Sequence, residues 1–200
     1  MASISTSEAK SNGRRHTTQQ SVDAAIWSIC DIMRRGNVGS ALQYVPELTW
    51  ILFLRILDET EDREEREADA VGASYNASLR RPYRWKDWAA PLEAPEAKPN
   101  KRKELEDSAP GALMAFINGD LIPHLKKLRE RAHATPRQKM ISEIMSGVEK
   151  VRIDTEKNLL DVLDKVQEIT NESIDPTHVF ALSQIYEGLL LKMGEKGSDA

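Results

Sequence analysis

Apolar residues return at three- and four-residue intervals along most of this chain, the pattern of helices that bury one face. Val22, Ala25, Ile26, Ile29, Ile32 and Met33 predict a first helix over about 20–35, and Arg34-Arg35-Gly36 supplies a basic last turn with a glycine stop. The next periodic segment begins near Pro46. Val45, Leu48, Leu52, Phe53, Ile56 and Leu57 form one face, and Trp50, Ile51 and Leu54 widen it, which predicts the central helix of a bundle. That helix runs on into DETEDREEREADA, residues 58–70. There Glu59/Arg63 and Asp62/Arg66 stand four apart with the acid first, so this half is expected to face water as a solvated surface.

Leu113, Phe116, Ile117, Leu121, Leu125 and Leu128 mark a third helical stretch that Gly119 and Pro123 should bend or split. Thr135-Pro136-Arg137-Gln138 reads as a capping box with proline at the first helical position, opening a short helix through Met140, Ile141, Ile144 and Met145. Leu159, Val162, Leu163, Val166 and Ile169 predict a helix over about 155–170. Asp175-Pro176 then opens a last stripe, Val179 to Met193, stopped by Gly194.

Between these segments, residues 72–110 carry Pro82, Pro91, Pro95, Pro99 and Pro110, which forbid one long helix. Tyr75, Tyr83, Trp85 and Trp88 would tie such a loop to the helical core. Residues 1–19, rich in Ser, Thr, Lys and Asn, are expected to form a disordered tail. The fold class is therefore all-α: a compact bundle of about six or seven helices over 20–194, with a long aromatic- and proline-containing loop. Residues 195–200 read as the start of a linker. No repeat of solenoid length and no sustained heptad is present.

Composition fits this reading. A chain of 200 residues, 40% hydrophobic and only 6% aromatic, has material for a sizeable core and little for an aromatic-rich β fold. Its formal charge of −4 does not favour nucleic acid globally, so any such role must come from local patches. The single cysteine, Cys30, sits among Ile26, Ile29 and Met33 and reads as a small core residue in a reducing, cytoplasmic setting. The start of the chain lacks an apolar leader, and the longest apolar run, Trp50 to Leu54, is too short to span a membrane.

Catalytic motifs are missing. The chain has no glycine-rich phosphate loop, no His-Glu-x-x-His and no cysteine pair. His16, His124, His133 and His178 have no partner at ligand spacing, so no metal site is expected. Basic runs are the remaining candidates. Arg80, Arg81, Arg84 and Lys86 interleave with Tyr83, Trp85 and Trp88, and Lys98, Lys101, Arg102 and Lys103 follow. Arg34, Arg35 and Asn37 form a third group at a helix end. Cations beside aromatic rings suit phosphate contact, although tryptophans also anchor loops and terminal arginines also cap helices.

Two stretches carry a family resemblance. FALSQIYEGLLLKMGEKGSDA at the end, and IWSICDIMRRGNVGSALQYVPELTWILFLRILDE near the start, resemble the helical N-terminal domain of the modification (methyltransferase) subunit of type I restriction-modification systems. The resemblance covers roughly residues 21–200 and is most specific at both ends. It implies that the chain stops at a domain boundary, ahead of a catalytic domain. The family's glycine-rich S-adenosylmethionine loop and Asn-Pro-Pro-aromatic motif do not occur here. No residue is therefore carried over as catalytic, and Ser198 and Asp199 would at most border the cofactor pocket.

For the parent enzyme the resemblance implies S-adenosylmethionine-dependent adenine-N6 methylation of DNA as part of bacterial defence. Its implied partners are a specificity subunit, a second modification subunit, a restriction subunit and double-stranded DNA. In that setting the basic positions would hold the DNA backbone without reading sequence. Without the resemblance, the residues also allow a free-standing helical protein-interaction module. A helix-turn-helix regulator fits less well, because the helix after Gly36 is too apolar for a recognition face.

Overall fold

A computed structural model describes residues 19–35, 41–92, 94 and 97–169, with side chains from 24 and 45 in the first two helices. The expectations for the tail, Asn37, the last apolar stripe, the linker, Ser198 and Asp199 lie outside these residues. The elements are α1 (Gln19–Arg35), α2 (Ala41–Ala70), α3 (Trp85–Trp88), α4 (Lys101–Ser108), α5 (Ala112–Phe116), α6 (Ile122–Lys126), α7 (Pro136–Met145) and α8 (Glu156–Gln167). A π-helical turn, Ile117–Leu121, joins α5 to α6, and a 3-10 turn, Leu128–Glu130, follows α6. Among the described residues the fold is all-α.

The wide apolar face makes α2 the spine. Leu48, Trp50, Ile51, Leu52 and Leu54 are at most 2% exposed, each burial contributing on the order of 1.5–3 kcal/mol. Helix α8 packs against both α1 and α2 and buries Leu159, Val162, Leu163 and Val166, while α1 buries Ile29 and Met33. Cys30 is buried with them, and burial pushes its thiol up to about 11, which makes it an inert core residue.

The third apolar stretch, expected to bend or split, stays helical from Ala112 to Lys126 with a π-helical turn inside it. Gly119 falls in the π-helical turn, which re-phases the chain so that Leu121, Ile122 and Leu125 all point inward. Thr135 closes the capping box: its hydroxyl accepts from the Gln138 amide at 3.2 Å, and the Gln138 side chain accepts from the Thr135 amide at 3.1 Å.

One expectation needs correction here. Residues 72–110 are not one irregular loop, because they contain α3 and α4. Asn100 explains α4: its Oδ1 accepts from the Lys103 amide at 3.0 Å as an N-cap, while its Nδ2 donates to the Ala90 carbonyl at 2.9 Å. The prolines end short elements here without abolishing them. Residues 149–155, not assigned to the core from sequence, lie between α7 and α8 without helical structure and bury Val151 and Ile153. The amide of Val151 donates to Asn118 Oδ1 at 2.8 Å, and that of Arg152 to buried Glu47 at 3.0 Å.

Helix α5 also depends on a distant residue. Gly111 precedes it at φ 83°, a conformation suited to glycine, and supplies no side-chain cap. The Glu156 carboxylate from the first turn of α8 accepts from Gly111, Leu113 and Met114 amides at 3.0, 2.9 and 3.2 Å.

Candidate nucleic-acid interface

The acidic half of α2 is the second correction. Asp58 and Glu61, expected on a solvated face, are 5% and 1% exposed. The cause is cations brought onto them from the following segment. Arg84 reaches Asp58 at 3.3 Å, Asp62 at 2.7 Å and Glu65 at 3.2 Å, with only 9% of its side chain exposed. Lys86 adds a contact to Asp62 at 2.7 Å, and its amide donates to Asp58. Burial raises Asp58 to about 6; the nearby Asp62 adds to this, and Arg84 and Lys86 oppose it. Ser78 closes this edge by donating its amide to Glu61 at 2.9 Å.

The same helix holds α7. Arg137 forms a bidentate pair with Glu64, at 2.7 and 2.9 Å, and Tyr75 donates its hydroxyl to Glu64 at 2.7 Å. The Arg137 hydrogen bonds lower Glu64 to about 2, against the opposing effect of burial. A shallow groove lies beside this cluster, lined by Tyr75, Ser78, Pro136 and Met140. It brings together no nucleophile and base. Among the described residues no group of three or more His, Cys, Asp or Glu side chains is placed to hold a metal.

The basic residues singled out in the sequence thus divide. Arg84 and Arg102 are buried: Arg102 donates to the Ala89 carbonyl and Asp164 at 2.6 Å each and to Glu106 at 2.7 Å, locking α4 to α3 and α8. For either to meet a phosphate, these pairs must break. Arg81 pairs with buried Asp87 at 3.2 Å, although 77% of its own side chain is exposed. Lys101 and Lys103 make exposed pairs with Glu104 and Asp107 at 3.5 and 2.5 Å. Arg34 pairs with Asp31 at 2.7 Å, and Arg35 donates to the Asp31 carbonyl at 3.4 Å, as helix-end residues. Arg80 and Lys98 are exposed, with no described carboxylate within ion-pair distance. Trp85 and Trp88 are loop anchors: they are at most 1% exposed, and the Trp85 indole donates to Gln167 at 2.6 Å.

Tyr83 is half-buried. Its ring stacks on His124 of α6 with centroids 3.7 Å apart, and lies parallel to Phe116 at 6.2 Å. Lys101 sits over Phe116, 5.9 Å from its centroid, and Arg131 reaches the His124 ring at 3.4 Å. The α6 end of this row lies outside the basic runs singled out from the sequence. Its signal was present in HLKKLRERAHATPRQK, residues 124–139, which has Lys126, Lys127, Arg129, Arg131, Arg137 and Lys139 against the single acid Glu130.

The described residues form an all-helical scaffold whose polar side chains largely join one helix to another, with several cations left at its rim. Residues 22–166 match the family described as the HsdM N-terminal domain, and the chain belongs to that family. It is similar to the type I restriction enzyme EcoEI methylase subunit of Escherichia coli, at 30% identity over 182 residues. That match covers 89% of this chain and 32% of the relative, so the chain spans about a third of the length of the curated relative it matches. Among solved structures, a modification subunit assigned to a type I restriction enzyme of Vibrio vulnificus YJ016 superposes with a TM-score of 0.71 at 30% identity. It covers 92% of this chain and 37% of that one. A chain from a structure describing complex assembly and conformational transition of the type I restriction-modification system gives a TM-score of 0.58 at 31% identity. Coverage there is 89% of this chain and 31% of the other.

Proposed function

We propose that this domain is non-catalytic, that it helps hold double-stranded DNA by its backbone, and that it joins the modification subunit to its neighbours. The observation that carries this is the family match over 22–166, which identifies the domain type of a type I modification subunit. On this reading the parent enzyme methylates adenine N6 with S-adenosylmethionine, alongside a specificity subunit, a second modification subunit and a restriction subunit. Chemistry on a base inside a duplex requires flipping it out, and a flipped base needs the flanking backbone held still. Backbone-positioning cations on a rigid helical domain supply such a hold.

The described residues do not fit the cofactor itself. None forms a strand followed by a glycine-rich turn, the element that cradles such a nucleotide, so no step through the cofactor is assigned to them. Their part is to bind and orient.

The test is fluorescence anisotropy of the 200-residue chain with two duplexes of unrelated sequence across a salt series. Equal affinity for both, weakening as salt rises, is expected. No binding at low salt, or methyl transfer to DNA by this chain with S-adenosylmethionine, would overturn the proposal.

A further inference from the structure

We infer that the surface running from Lys101 through Tyr83 and His124 to Lys127 and Arg131 is where this domain meets the phosphate backbone of duplex DNA. The inference rests on the DNA-holding role above and assigns that role to one face. Continuity is the first argument. Lys101 lies over Phe116, Phe116 is parallel to Tyr83, Tyr83 stacks on His124, and Arg131 reaches His124. Each link is 6.2 Å or less, so α4, α5, the turn before α3, α6 and the residue after the 3-10 turn are joined by one chain of contacts. Lys127 follows His124 by three residues at the end of α6, where its amide donates to the His124 carbonyl at 3.2 Å, a spacing that puts the two on one side of the helix.

Charge is the second argument. Carboxylates take up part of this fold's positive charge, with Arg84, Arg102 and Arg137 each held by more than one, and leave other cations at the rim unpaired by them. No described carboxylate lies within ion-pair distance of Lys127 or Arg131, and both are exposed. The carboxylate contact described for Lys101, to exposed Glu104 at 3.5 Å, is one that a phosphate oxygen can displace at little cost. Burial, with help from Arg131, lowers His124 below its ordinary value, so the ring between the cations adds no charge of its own at neutral pH.

Ring geometry selects duplex over single strand. Single-stranded DNA is held by bases stacking on open aromatic faces. Here Tyr83 already stacks on His124, and Phe116 is only 7% exposed, so the row offers spaced cations and few free ring faces. That arrangement suits phosphates on an intact helix.

The experiment compares the chain with K101Q/K127Q/R131Q and with R66Q/K150Q/K157Q, which removes the same charge from exposed positions elsewhere. Each phosphate contact contributes about 0.9 to the slope of log affinity against log salt, so the row variant should lose close to 3 units of slope. Its affinity at low salt should fall by about tenfold or more. The second variant should stay within about threefold of the parent. Circular dichroism confirms that each variant retains its helices. If the parent binds duplex and the row variant binds equally with an unchanged slope, the inference is overturned while the DNA-holding role stands. Tighter binding of single strand than duplex by the parent would overturn it too. If the parent binds no duplex, the DNA-holding role itself fails first.

Discussion

Arg84 and Asp58 are 26 residues apart in sequence and 3.3 Å apart in space, with 9% and 5% of their side chains exposed. A pair this dry is costly to break from one side, because the partner left behind keeps its burial and loses its counter-charge. Arg84→Met is expected to destabilise the domain by about 3 kcal/mol in urea unfolding. Arg63→Met, which breaks an exposed contact to Glu67, should cost less than about 1 kcal/mol. Equal losses from both would contradict the account of α2 as an internal acceptor for the following segment.

The two carboxylates that anchor neighbouring segments on α2 titrate in opposite senses. Glu64, lowered to about 2 by Arg137, contributes stability that is full above its ordinary 4.5 and is lost as pH falls toward 2. Asp58, raised to about 6 by burial, favours the folded state more as pH falls from 7 toward its ordinary 3.8. Glu64→Gln should therefore flatten the acid limb below pH 4.5, and Asp58→Asn should remove the gain between about pH 7 and 4. Urea midpoints measured across that range check both slopes.

Glu156 caps a helix 42 to 45 residues away, so its loss should release α5 rather than α8. Glu156→Ala is expected to cost about 1–2 kcal/mol. Amide hydrogen exchange should quicken at Leu113 and Met114, whose N–H groups it accepts. Unchanged exchange there would remove the long-range cap from the account.

Ser142 joins α6, the 3-10 turn and α7 through one hydroxyl. It donates to the Leu125 carbonyl at 2.9 Å and accepts from the Arg129 amide at 3.0 Å. Ser142→Ala leaves a buried carbonyl and an amide without these partners, and about 1–3 kcal/mol of destabilisation is expected in thermal or urea unfolding. A neutral result would mean the turn that leads to Arg131 is held by packing alone.

Helices were legible wherever burial followed a single periodicity. The stripes of α1, α2 and α8 and the Thr135–Gln138 capping box name their own elements, because local chemistry and tertiary packing agree there. The acidic stretch after Asp58 misled for a physical reason. Its i,i+4 pattern satisfies a solvated helix, and nothing local reveals that Arg84 and Arg137 arrive from later segments to cover it. The same holds for Glu47, Glu156 and the Val151–Ile153 strip, whose partners lie far along the chain. Basic runs told charge but not direction: Lys101 and Arg102 are neighbours, yet one lies at the rim and the other is buried. The 124–139 run was readable as charge in the sequence, and only the stacking of Tyr83 on His124 joins it to α4.

The most direct test of the central claim is lysine acetylation footprinting by mass spectrometry, with and without saturating duplex. The account predicts that Lys101 and Lys127 lose reactivity when DNA is added, while exposed Lys150 and Lys157 react equally in both states. Protection confined to Lys150 and Lys157, or no protection under conditions where the duplex is bound, would contradict it.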